Sequence, residues 1–180
     1  VYSRRRTVLQ ASTQEMMKLM GEFCEETVDD IVPGYVDEDE EVNAEGLHTK
    51  IKQFFPTVEK LDEKKMEQMD EDELKAYIKP AVIKALDVKA KQLAKGKAEG
   101  TEAQVARYLT LVNFDNLWEK HLAQIDLLKS SVQFSTLQNK NPLDEFKFAG
   151  YDLFNSLFNN VRLNTVYSFF VYDPAQKPVQ

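Results

Sequence analysis

Apolar residues return every three or four positions along two long stretches of this chain. The first stretch carries Leu111, Phe114, Trp118, His121, Ile125, Leu128 and Val132. The second carries Leu143, Phe146, Gly150, Leu153 and Leu157. That period holds one helix face against a partner helix. Between the two lies a mostly polar segment, Gln133 to Pro142, in which Lys140 is the only charge. The pattern predicts an antiparallel helical hairpin with an exposed tip.

The ends of the hairpin helices are also marked. Thr101-Glu-Ala-Gln104 has the form of a capping box, in which the threonine oxygen takes a free backbone N–H and the glutamine reaches back. Nothing breaks the helix from there to Val132, so it should be a rod of roughly 48 Å at ~1.5 Å per residue. Asn141-Pro142 starts the return helix, with asparagine as cap, proline in the first turn and Asp144 and Glu145 at its positive end. It should continue to about Phe170.

The first hundred residues predict shorter helices. Leu9, Met16, Met20, Phe23 and Val28, widened by Met17, Cys24 and Ile31, predict one helix from about Tyr2 to Ile31. Pro33-Gly34 ends it. A run of acids, Asp37 to Glu41, reads as a solvated loop because like charges resist burial. A helix is expected over Glu45–Phe55, then charged loop with a short helical turn over Thr57–Asp72. Another runs from about Glu71 to Lys95, with a kink or break near Lys79 ahead of Pro80. Lysines 89, 91, 95 and 97 complement the negative end of that helix. Long strand-like alternation is absent and glycine numbers only 6, so the fold class is all-α and elongated.

Composition narrows the function. A net charge of −7 opposes general nucleic-acid binding and adhesion of the whole molecule to an acidic membrane. A single cysteine, Cys24, leaves no intrachain disulfide and no cysteine-only metal cluster, and its place on an apolar stripe reads as a buried thiol. No apolar run approaches bilayer-spanning length. The start, Val1-Tyr-Ser-Arg-Arg-Arg6, lacks an apolar secretory segment and an initiator methionine, so the chain is expected to begin inside a longer polypeptide or after processing.

Catalytic signatures are missing. Neither G-x-x-x-x-G-K-[ST] nor G-x-G-x-x-G occurs, so a nucleotide has no phosphate cradle. His48 and His121 lack ligand-spaced partners, so no metal site is expected. Trp118, the only tryptophan, lies on the stripe, where aromatics usually pack in a core. Leu137 is an apolar residue at a polar tip; it is either a single exposed leucine or a partner contact.

Leu117-Trp-Glu-Lys-His-Leu122, Ile125-Asp126, Leu128-Lys129, Asn139-Lys-Asn-Pro142, Glu145-Phe-Lys147 and Gly150-Tyr-Asp-Leu-Phe154 follow one another in fixed register. In this the chain resembles the SecA preprotein-translocase ATPase family. Val1-Tyr2, Arg5-Arg6 and Val8-Leu9 resemble the second half of that family's long scaffold helix, and Glu45-Gly46-Leu47 the start of its helical wing. Thr27 to Ile31 and Val166-Tyr-Ser168 resemble plastid members. The resemblance departs from the usual pattern at Leu137, where tyrosine is commoner, at Asn141 in place of aspartate, and at Phe148 in place of arginine.

The resemblance implies a scaffold over residues 1–32, a helical wing over 33–100 and a two-helix finger over 101–172; the proline-containing end, 173–180, is expected to be a disordered tail. It implies that the finger inserts into the mouth of a SecY-type channel and acts on a preprotein. Thr136, Leu137, Gln138, Asn139 and Lys140 would then be the tip that contacts channel or preprotein. Trp118 and His121 would be the finger base facing the motor domains. ATP and Mg belong to those domains, so this chain alone is expected to hold no cofactor and to be no enzyme. The expected partners are the channel, the preprotein and the remaining motor domains, with no nucleic acid. The expected location is peripheral to a membrane, in a plastid stroma or bacterial cytoplasm. The rival reading is a SecA-derived, non-catalytic helical subunit of a larger assembly.

Overall fold

The computed structural model describes residues 2–135 and 141–173. Its helices are α1 (Tyr2–Gln10), α2 (Thr13–Ile31), α3 (Ala44–Phe54), α4 (Glu63–Met66), α5 (Glu71–Ala94), α6 (Thr101–Ser135) and α7 (Pro142–Val171), with a 3-10 turn at Val32–Tyr35. Strand pairing among the described residues amounts to a single bridge, Val36 to Val42, which closes the acidic loop. The class is all-α, as the apolar periods imply.

The first expected helix is in fact two. Ser12 is extended, with ψ of 170°, and its Oγ accepts from the Glu15 backbone N–H at 3.2 Å while donating to Glu15 Oε1 at 3.1 Å. This cap starts α2 and stops α1, although the apolar stripe runs across the junction. Arg107 of α6 then donates through Nε to the Val8 carbonyl at 3.2 Å and through Nη2 to the Ala11 carbonyl. These are carbonyls that the end of α1 leaves without helical partners.

No break appears at Pro80; α5 passes through it. Pro80 removes the N–H that would bond the Ala76 carbonyl, but both residues are exposed, so water can take that carbonyl. The buried row of α5, including Ile78 and Val82, lies on the opposite side.

The start of α6 is also built differently from the capping box. The Thr101 hydroxyl donates to the Ala98 carbonyl at 2.6 Å, and Gln104 Oε1 accepts from Arg107 at 3.2 Å. Gly100, at φ +82°, precedes the helix instead, and its carbonyl accepts from the Gln104 N–H at 3.1 Å. Upstream, Lys95 (φ −60°, ψ 120°) and Gly96 (φ +72°) form a type II turn closed by Lys97 N–H to the Ala94 carbonyl at 3.1 Å. The return helix starts as its sequence implies: Asn141 Oδ1 accepts from the Leu143 N–H at 3.1 Å, with Pro142 in the first turn.

One hydrophobic core draws on α2, α3, α5, the first turns of α6 and the last turns of α7. Met16, Met20, Leu47, Ile51, Ile78 and Phe169 lie in it with no exposed surface. Phe55 meets Phe170 edge-on, with ring centroids 5.1 Å apart. A second, smaller cluster of Phe114, Leu157 and Val161 sits higher in the hairpin, with Leu117, Trp118 and Phe158 against it.

Candidate functional site: the base of the helical hairpin

Helices α6 and α7 pack along each other, and their inner faces follow the two apolar stripes closely. Phe114, His121 and Leu157 are buried; Leu111, Trp118, Ile125, Leu128, Val132, Phe146, Gly150 and Leu153 are half-buried. Leu143 departs from the stripe and is 58% exposed. It lies two heptads before Leu157, over which a straight helix drifts by roughly 40° from a strict seven-residue repeat.

The base is a ladder of rings. Phe114 and Trp118 lie nearly parallel, 6.2 Å apart at 8°. Trp118 stacks in turn on His121 at 5.3 Å. From α7, Phe154 meets His121 edge-on at 6.4 Å and Phe158 at 4.7 Å. The structure thus brings Trp118 and His121 together on one face of α6. Trp118 keeps part of its surface in solvent, while His121 is 6% exposed and its Nδ1 has no partner among the described residues. The tip expected at Thr136, Leu137, Gln138, Asn139 and Lys140 lies outside the described residues.

Ion pairs fix the base to the rest of the fold. Arg5 of α1 grips Asp115 through Nε and Nη2 at 3.0 and 3.1 Å. Arg162 of α7 is 8% exposed; it donates to Glu26 at 3.0 Å and to Asp30, one turn apart on α2. Asp29, between them in sequence, takes Lys79 of α5 at 2.8 Å. At the far end of α7, Lys89 Nζ donates to the Tyr172 carbonyl at 2.8 Å. Burial lowers the Lys89 amine below its ordinary value, and the Asp173 charge offsets part of this. Lys89 therefore complements the negative end of α7, whereas its place in the sequence points to the end of its own helix.

The sequence reading missed Arg162, Glu26 and Asp30. A signal was present: Arg162 is the one cation between Lys147 and Lys177, and the stretch from Leu153 to Tyr172 holds no other charge. A charge in such a place needs a partner.

The family model described as the SecA wing and scaffold domain matches residues 1–173. The protein translocase subunit SecA of Prochlorococcus marinus (strain NATL1A) is 36% identical over 183 aligned positions, covering 100% of this chain and 19% of the relative. The SecA subunits of Picosynechococcus and Crocosphaera subtropica are 34% and 33% identical, over 100% and 99% of this chain and 19% of their own lengths. The chain belongs to the SecA wing and scaffold family. It spans about a fifth of the length of the SecA relatives it matches. Among the described residues, no helix is long and apolar enough to cross a membrane. In this SecA-family chain the match takes in the hairpin base and its anchoring acids as well as α3–α5.

Proposed function

We propose that this chain is the scaffold, wing and two-helix finger part of a protein-translocation motor. In that role it passes the motion of ATP-hydrolysing domains, which lie outside the 180 residues, to a preprotein at a SecY-type channel. The observation that carries this reading is the anchored hairpin. Arg162, Arg5 and the ring ladder fix its base, while α6 alone extends for 35 residues, roughly 52 Å. A lever needs such a held end and a free one. Trp118 and His121 then face the motor, and residues 136–140 are the working tip, peripheral to the membrane of a plastid or a bacterium. The cyanobacterial relatives support either setting.

The test uses a full-length motor carrying this segment. A photo-crosslinker at Leu137 should capture the channel or a stalled preprotein during active transport. The same crosslinker at Lys120, an exposed residue near the base, should not. Equal capture from both positions would reduce the contact to chance. No capture from 137 with the motor engaged would favour a non-catalytic structural subunit instead.

A further inference from the structure

We propose that the cavity where α1, α2, α6 and α7 meet binds a small monoanion with an apolar body, such as a medium-chain carboxylate. The cavity holds about 510 Å³, within the usual range for small-ligand sites. Its walls are largely hydrocarbon and aromatic: Leu19 and Phe23 from α2, Leu111 and Phe114 from α6, Phe154 and Phe158 from α7. An apolar chain gains by leaving water for such a lining.

The polar groups set the charge of the ligand. Arg4 lies with its guanidinium 4.2 Å from the Phe158 ring centroid, and no carboxylate pairs with it among the described residues. Arg5 also lines the cavity, but its charge is taken by Asp115. Arg162 is more than nine-tenths buried; its two Nη groups are held by Glu26 and Asp30, and its Nε has no partner among the described residues. That N–H is closed off from the cavity space, so a ligand's oxygens would meet Arg4 rather than Arg162. Glu26 is itself in the wall, with its negative charge already facing Arg162. One uncommitted cation beside one committed acid suits a single negative charge and disfavours a dianion such as a phosphate monoester. The planar guanidinium on an aromatic face also offers a carboxylate two parallel donors.

Calorimetry on the 180-residue chain tests this with decanoate and, as the uncharged probe of equal chain length, decanol. Decanoate should bind saturably at one site and at least tenfold more tightly than decanol. Arg4→Gln changes an exposed side chain; it should weaken decanoate about tenfold and leave decanol unchanged. Asn159→Trp, which places a ring in the cavity from its edge, should weaken both, with circular dichroism confirming an unchanged fold. Absence of saturable decanoate binding, equal affinity for the two probes, or full affinity in Arg4→Gln would each overturn the proposal. If the tryptophan variant does not fold, the Arg4 comparison decides alone.

Discussion

Cys24 has no solvent-exposed surface, and burial, with a smaller contribution from the Glu25 charge, pushes its thiol up to about 12. An unfolded thiol ionises near ~8.5. Below that pH both states keep the proton, and the full contribution of the buried thiol is present. As pH rises from ~8.5 towards 12 the unfolded chain releases its proton first, and the folded state loses stability. The melting temperature of the native chain should therefore fall faster than that of Cys24→Ala between about pH 8.5 and 10.5. Equal slopes would show that the thiol ionises freely in the folded state. Arg162 makes a contrasting case. Its side chain is 10% exposed, but those of its partners Glu26 and Asp30 are 54% and 44% exposed. Removing the arginine leaves two acids that water can reach, so Arg162→Ala should cost about 1–3 kcal/mol in urea denaturation, less than a fully buried pair. A loss near zero would mean that the clasp adds no net stability.

Two glycines show how an element's needs differ along one hairpin. Gly150 lies within α7, and an added Cβ there would meet nothing within 4 Å. Gly150→Ala should raise stability by about 0.5–1 kcal/mol, read as a higher melting temperature. Gly100 sits at φ +82°, and a Cβ would approach Thr13 Oγ1 to 3.1 Å. Gly100→Ala should lower stability by about 1–2 kcal/mol. Opposite signs for the two substitutions are the expected outcome. Much at this scale was legible in the sequence. The seven-residue stripes marked α6 and α7, Asn141-Pro142 marked the return, and Leu47, Ile51 and Phe54 marked α3. The break at Ser12 was legible too, through Ser12 and Glu15, but the apolar stripe crosses it and hides it. The capping form at Thr101 misled because Gly100, already in a left-handed conformation, occupies the cap position. The anchors of the base were not legible as pairs. Arg162 and Glu26 are 136 positions apart, and five acids between Glu22 and Asp30 compete on paper for one arginine. Only the fold chooses among them.

At the scale of the whole molecule, the hairpin and the α3–α5 region share a core. Val166 and Phe169 have no exposed surface and pack in the same cluster as Leu47, Ile51 and Leu74. Phe54 meets Tyr167 edge-on at 5.9 Å, Phe55 meets Phe170, and Lys89 holds the Tyr172 carbonyl. The last turns of α7 are therefore structural parts of the α3–α5 region as well as of the hairpin. Packing thins in the other direction: beyond His121 on α6 no described side chain is fully buried. A molecule built this way should unfold its α3–α5 region and its hairpin base together, while residues approaching 135 open more easily. Phe169→Ala tests the shared core, with an expected loss of about 3–5 kcal/mol from the ring and the cavity it leaves. Native-state hydrogen exchange should then speed up by a similar factor at Leu47 and Ile51 in α3, at Ile78 in α5 and at Ala106 in α6. If faster exchange were confined to α7, the α3–α5 region would hold its fold without the hairpin, and the two would not form one cooperative unit.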